Sequence, residues 1–307
     1  RELRTAVLLI KHFTHLLPHS PNPSAALLHF REFLIQLFER PNWFDEVASI
    51  EKPDVLNALA RLLGVSNFLW EDFLRMQYAN LFPLVKDMAE LSTAKPRTQL
   101  ENELALALAK NQVGDVQYPD WRGTLNAFKD RELFRIDMRH ILGLTKEIDD
   151  FGFELTDLAE VTVCAALARC DSEMHAIHGV PYLENGTRCG LALLALGKCG
   201  GRELGFASDI ELMFVYAGDG RTNGEHPLTT AEYFELFVRS VETAIQTRQE
   251  GIFHIDLRLR PYGKAGSLAV SFDSFRKYYA PDGPAWAYER QALVKMRSVA
   301  GDDGLRD

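Results

Sequence analysis

Three carboxylates in the C-terminal half, Asp209, Glu211 and Asp256, have the residue types and the spacing to do chemistry. In a strand successive side chains point to opposite faces, so Asp209 and Glu211 share one face while Ile210 and Leu212 take the other. The same rule applied to Ile252–Arg260 puts His254, Asp256, Arg258 and Arg260 on one face and Phe253, Ile255, Leu257 and Leu259 on the other. Three carboxylates on neighbouring strands repel unless cations sit between them, and an all-oxygen set suits Mg²⁺ or Mn²⁺. Two such ions would stabilise both the attacking and the leaving oxygen of an in-line displacement at phosphorus. Arg258 and Arg260 would then neutralise charge on nucleotide phosphates. Just upstream, the glycines of G-K-C-G-G-R-E-L-G (Gly197–Gly205) would let backbone N–H groups approach a phosphate closely.

Each feature has a plainer reading. A lone D-x-E is usually solvated charge, a Gly-rich loop after a strand is often only a turn, and an alternating strand with Asp and Arg outside is commonly a half-exposed antiparallel strand. The three together, in this order, are harder to assign to accident. His254 reads as a neighbour of the site or a structural histidine rather than a base, and Lys198 and Lys264 read as surface lysines within reach of a phosphate.

The elements that must position these residues follow from periodicity. From Arg1 to about Asn111 apolar residues recur at three- and four-residue spacing, as in LLHFREFLIQLFERP, DVLNALARLLGV, SNFLWEDFLRMQYANLFPLV and LENELALALA, so this half reads as all helix. Turn chemistry around Pro119 suggests a division into a helical domain, residues 1–122, and a second domain, residues 123–307. Two further helices are expected over LNAFKDRELFRIDMRHILGL and from Thr156 to Gly179. The period then changes: Leu191–Leu196 and Ile210–Tyr216 are short apolar runs that suit buried strands, and IFHIDLRLRP reads as a third. Between them lies a helix with an S/T-x-x-E capping box at Thr229 and Glu232, one face made by Phe234, Phe237, Val238, Val241 and Ile245, and Gly251 beyond its last turn. The tail from Ser274 to Arg297 reads as helix broken at Pro281–Pro284. The expected fold is therefore α+β, a helical N-terminal region followed by a domain with a small mixed sheet.

Composition bounds the function classes. With 307 residues, 47% hydrophobic and 25% charged, the chain can bury a sizeable core. A net charge of −9 argues against a protein that coats nucleic acid, because phosphate-backbone affinity rests on surplus Lys and Arg. No apolar run approaches the roughly 20 residues of a membrane helix, and the N-terminal segment is too interrupted for a signal peptide, so a cytoplasmic location is expected. The four cysteines form no C-x-x-C pair and read as reduced thiols. Opening on Arg1 and stopping in a Gly/Asp-rich stretch, the chain reads as a piece of a longer protein.

The strings GKCGGRELGFASDIELMFVY, HIDLRLRPYGKAGSLAVSF and WAYERQALVKMRSVAGD resemble the nucleotidyltransferase domains of glutamine synthetase adenylyltransferases, members of the DNA polymerase beta-like superfamily. The resemblance runs from about Phe128 to the end and more weakly through the helical half. It implies that Asp209, Glu211 and Asp256 are the metal-binding, catalytic carboxylates and that Gly200, Gly201 and Ser208 belong to the nucleotide-binding loop. Glu211 is a departure, since the family usually has Asp there. The resemblance further implies Mg²⁺ or Mn²⁺, ATP or ADP as nucleotide, glutamine synthetase as partner and a PII-type signalling protein as a candidate regulator. Family enzymes carry two such domains, one removing AMP from a tyrosine by phosphorolysis and one attaching it from ATP. Tyr278 and Tyr279 ahead of W-x-Y-E-R-Q-A-L look more like the removing type. The rival readings are adenylylation from ATP, a nucleotide- or regulator-binding sensor that no longer catalyses, and a helical half that serves as a scaffold for protein partners.

Overall fold

The computed structural model describes residues 2–39, 43, 47, 52–64, 91–206, 208–247 and 253–306. The chain divides into two compact units, Arg1–Lys95 with Asp130–Phe151, and Pro96–Lys129 with Gly152–Asp307. The expected division at 122/123 falls in the first turn of the helix Trp121–Ile141, whose residues are shared between the units. The fold is α+β, as its hydrophobic patterning requires. Among the described residues no helix is long and apolar enough to cross a membrane, and the four cysteines form no disulfide.

In the first unit the three- and four-residue spacing becomes α1 (Glu2–Leu16), α2 (Pro23–Phe38) and α3 (Pro53–Leu63). Pro23 opens α2 where its missing N–H costs nothing, and the Asn22 side chain accepts from the Ala25 N–H. Phe13 and Phe30 stack with ring centroids 3.6 Å apart, and Phe33, Leu37, Leu59 and Leu63 are buried with them. The expected helix over SNFLWEDFLRMQYANLFPLV lies outside the described residues.

The second unit begins with α4 (Arg97–Lys110), a two-stranded hairpin of β1 (Gln112–Val113) and β2 (Val116–Gln117), and the start of α5 (Trp121–Ile141), whose remainder from Asp130 belongs to the first unit. Next comes α6 (Ile148–His178), which starts eight residues before the expected Thr156, with Asp149 and Asp150 in its first turn. Then follow β3 (Pro181–Leu183), β4 (Leu191–Ala195), the short α7 (Gly197–Gly201), β5 (Ile210–Tyr216), β6 (Gly220–Thr222) and α8 (Thr230–Ala244). The chain continues through β7 (Ile255–Asp256), β8 (Ala269–Ser271), α9 (Phe272–Tyr279), α10 (Ala287–Ala292) and β9 (Arg297–Gly301) to a last short helix, Asp303–Arg306.

β5 is the axis of the main sheet. One edge pairs antiparallel with β4, which in turn pairs with β9, and the other edge carries β7 and then β8, both parallel. Both faces are covered, which is why β4 and β5 read as continuous apolar runs. On one face Leu194, Met213, Val215 and Val270 pack with Phe275, Tyr279 and Leu293. On the other, Tyr216 stacks on Phe234 of α8, centroids 4.9 Å apart.

The capping box forms as expected: the Glu232 N–H donates to Thr229 Oγ1 and the Thr229 N–H to the Glu232 carboxylate. Phe234, Phe237, Val238, Val241 and Ile245 are all buried, but the helix ends at Ala244, and Gly251 lies outside the described residues. Replacing Thr229 with Ala is expected to lower stability by about 1 kcal/mol. A urea titration should show the midpoint falling with an unchanged slope.

Two expectations are corrected. Among the described residues of IFHIDLRLRP only Ile255–Asp256 are strand, after which the chain turns through Arg258–Arg260. The tail is not one broken helix to Arg297: α9 and α10 are separated by Pro281–Pro284, a single 3-10 turn spans Leu293–Lys295, and Arg297 opens a strand against β4.

Candidate active site

The N-terminal end of β5 carries the chemistry. Ile210 and Leu212 are buried, and Asp209 and Glu211 take the opposite face, the one whose apolar layer continues through Met213 and Val215. The β7 strand sets Asp256 directly beside Glu211 in parallel register, so the two strands bring all three sequence-identified carboxylates to one place.

Arg258 dominates the electrostatics of that place. Its Nη2 lies 2.6 Å from Asp256 Oδ2 and 3.8 Å from Asp209 Oδ2, its Nε donates to both Asp256 oxygens at 2.9 Å, and its N–H donates to Oδ1 at 2.8 Å. Burial works to raise the Asp256 pKa, but these hydrogen bonds hold it below the usual carboxylate range. Glu211 is pushed up, first by burial and then by the negative charges of Asp256 and Asp209. Its carboxylate turns toward α7, where Oε2 accepts from the Cys199 N–H at 3.3 Å. A Cβ on Gly197, whose φ is +51°, would sit 3.0 Å from that carboxylate, so a side chain here would push against Glu211.

The donor set fits a divalent cation. All three groups offer oxygen, and the buried Asp209 Oδ1 has no hydrogen-bond partner among the described residues. Among those residues no three His, Cys, Asp or Glu side chains are already closed into a cage. The reason is visible in the contacts: Arg258 occupies Asp256, and Glu211 leans on Cys199.

Beside the carboxylates opens a cleft of about 400 Å³ lined by Gly197, Lys198, Glu211, Gln291, Ala292, Val294 and Lys295. Its volume is in the range of small-molecule sites. Lys198 is thus at the cleft. Gln291, Val294 and Lys295 were not singled out individually from sequence, although they lie in the string W-A-Y-E-R-Q-A-L-V-K.

The other expected site residues each have neighbours of their own. Gly200 is buried, and a Cβ there would meet Lys295 O at 2.1 Å and Ala195 O at 2.8 Å, so its glycine serves backbone packing. A Cβ on Gly201 would meet Glu203 Oε1 at 2.9 Å. Ser208 is buried and its hydroxyl accepts from the Gly205 N–H at 2.9 Å, closing the loop into β5. Arg260 turns inward, giving its guanidinium to Gly266 O and Leu257 O, and so fixes the turn after β7 instead of facing the carboxylates. His254 is exposed, and its carbonyl accepts from the Ile210 N–H. Lys264 lies in the 3-10 turn Gly263–Ala265 and is absent from the cleft lining. Cys199 is buried and its thiol is pushed up to about 12, mainly by burial, so it supplies no thiolate.

The model of the glutamate-ammonia ligase adenylyltransferase family matches residues 56–307, most of the chain and all of this site. The chain belongs to that family. Bifunctional glutamine synthetase adenylyltransferase/adenylyl-removing enzymes are its curated relatives. That of Thioalkalivibrio sulfidiphilus is 41% identical over 58% of this chain and 18% of the relative. That of Bartonella quintana is 34% identical over 90% of this chain and 27% of the relative. That of Acinetobacter baylyi is 30% identical over 96% of this chain and 32% of the relative. The chain therefore spans less than a third of these adenylyltransferases.

Proposed function

We propose that this chain carries a metal-dependent adenylyl-transfer site acting on a tyrosine of glutamine synthetase, and that its reaction is removal of AMP by phosphorolysis. The observation that carries the reading is the pairing of Glu211 with Asp256 across β5 and β7, with the unpartnered Asp209 Oδ1 beside them. Asp209, Glu211 and Asp256 would hold Mg²⁺ or Mn²⁺, which when bound neutralises charge on the phosphoryl oxygens and draws a proton-bearing nucleophile toward its reactive form. An oxygen of hydrogen phosphate attacks the α-phosphorus of the AMP–tyrosine ester, the bond to the phenol oxygen breaks, and the proton of the hydrogen phosphate passes to the phenolate, so that ADP and tyrosine leave. No covalent enzyme intermediate is required. Gln291, Val294 and Lys295 line the space for the nucleotide, with Lys198 and Lys295 supplying positive charge. With a cation held by the carboxylates, Arg258 would be free to exchange Asp256 for a phosphate oxygen, one charge partner for another.

The removing direction rests on the resemblance of the tail, Tyr278 and Tyr279 ahead of W-x-Y-E-R-Q-A-L, to the removing type of domain. The test is the intact mass of glutamine synthetase subunits incubated with this protein and Mg²⁺ or Mn²⁺. Loss of one AMP mass from the adenylylated form with phosphate is expected. Gain of one AMP mass with ATP alone would reverse the direction, and no change in either arm with nucleotide binding intact would leave the sensor reading standing. A PII-type protein is proposed as the regulator, and a cytoplasmic location follows from the proposed substrate.

A further inference from the structure

The cleft residues are held by a relay that begins in a buried carboxylate far from them in sequence. Glu160 on α6 has a side chain only 2% exposed, and both of its oxygens are taken by guanidinium groups. Arg97 of α4 bonds Oε2, and Arg297, the first residue of β9, bonds Oε1. A buried carboxylate needs such partners, since an unpaired one carries a large desolvation penalty. The two arginines differ in what else they touch. Arg97 reaches out to Glu101 on its own helix, at 2.9 Å. Arg297 reaches into α7, where its Nε donates to Gly200 O and its Nη2 to Cys199 O, both at 3.2 Å.

The surrounding backbone makes this tie consequential. Arg297 stands opposite Ala195, the last residue of β4 before α7, just past an irregularity in pairing at Leu193/Leu194. The backbone of α7 approaches Lys295 O so closely at Gly200 that no side chain fits. Cys199, whose carbonyl Arg297 holds, is also the residue whose N–H reaches the Glu211 carboxylate. A rigid fork with several donors suits this task, because it spans one carboxylate oxygen and two carbonyls at once, which a lysine ammonium cannot do.

We propose that Arg297, anchored by Glu160, is a positioning residue that acts through the α7 backbone to aim Glu211 at its cation. The proposal rests on the adenylyl-transfer reading for its catalytic consequence but not for its structural one. Partners that orient metal-binding groups from behind change metal affinity or activity by roughly 10- to 100-fold when removed.

The test compares Arg297→Gln, Arg297→Lys and Arg97→Gln in the full chain. Arg97→Gln removes one partner of the same carboxylate without touching α7, so it controls for loss of the ion pair alone. Hydrogen exchange at the Gly200, Arg202 and Glu203 amides, which bond Leu196 O, Cys199 O and Lys198 O, needs no substrate. It should quicken about tenfold or more in Arg297→Gln and hold at the wild-type rate in Arg97→Gln. Mn²⁺ affinity, titrated with the metal alone, should fall roughly tenfold or more in Arg297→Gln, and kcat by a similar factor with KM within about threefold. Arg297→Lys, which keeps one contact, should fall between and serves as the readout should Arg297→Gln not fold. Equal effects from Arg297→Gln and Arg97→Gln, or wild-type exchange and Mn²⁺ binding in Arg297→Gln, would overturn the proposal. Altered exchange and Mn²⁺ affinity in a protein whose wild type transfers no adenylyl group would uphold the positioning role and remove the proposed function.

Discussion

Asp209→Asn is expected to lose transfer activity by roughly three orders of magnitude while melting within a degree or two of wild type. Two features separate this position from its partners. Its Oδ1 is buried without a hydrogen-bond partner among the described residues, and its Oδ2 meets Arg258 only at 3.8 Å, so the fold draws little from it. What the carboxylate offers is charge for a cation. A bound metal provides several kcal/mol of transition-state stabilisation, and about 4 kcal/mol corresponds to a thousandfold in rate. The isosteric amide keeps the volume and removes the charge. Asp256→Asn is a poorer probe, because Asp256 also accepts four hydrogen bonds from Arg258 and would perturb the turn after β7. The measurement is steady-state phosphorolysis of adenylylated glutamine synthetase alongside a thermal melt. Activity within tenfold of wild type would remove Asp209 from the mechanism and favour a binding domain that needs no metal.

The parts of this site legible in the sequence were those whose physics is local. β5 is bounded to the residue by its apolar run, Ile210–Tyr216, and alternation alone placed Asp209 and Glu211 on one face. The capping box of α8 was equally local, since its donors and acceptors lie three residues apart. The strand reading along IFHIDLRLRP held at Ile255–Asp256 and failed from Arg258 onward, because the chain leaves the extended conformation at a turn that alternation does not detect. Alternation set Arg260 on the face of the carboxylates, as a partner for nucleotide phosphates, yet it is buried against the carbonyls of Leu257 and Gly266. β9 was missed because R-S-V-A-G has neither alternation nor an apolar run. It is strand only because β4 offers a free edge. Gly197 and Gly200 looked alike within one glycine-rich string, and only the tertiary neighbours, Glu211 for one and Lys295 O for the other, separate a cleft residue from a packing residue.

The second large effect lies in α5. Asp137 is fully buried, and neither of its oxygens has a hydrogen-bond partner among the described residues. Burial pushes its pKa well above the ordinary 3.8. The sign of the linkage follows. In the unfolded chain the carboxyl ionises near its ordinary value, while in the native state it stays protonated, so the unfolded state binds fewer protons as pH rises. Stability is therefore fully present below about pH 4 and is lost as pH climbs toward the folded value, at about 1.4 kcal/mol per unit. Asp137→Asn removes the ionisation and keeps the shape, so it should raise stability at pH 7 and leave it nearly unchanged at pH 4. The experiment is urea unfolding of both proteins at pH 4, 5, 6 and 7. Groups that titrate alike in the two proteins cancel in the difference, which isolates this carboxyl. A difference that widens with pH is the expected outcome. A variant less stable than wild type at pH 7 would mean that the carboxylate is ionised and paired in the folded protein, and that its burial stabilises the helix rather than straining it.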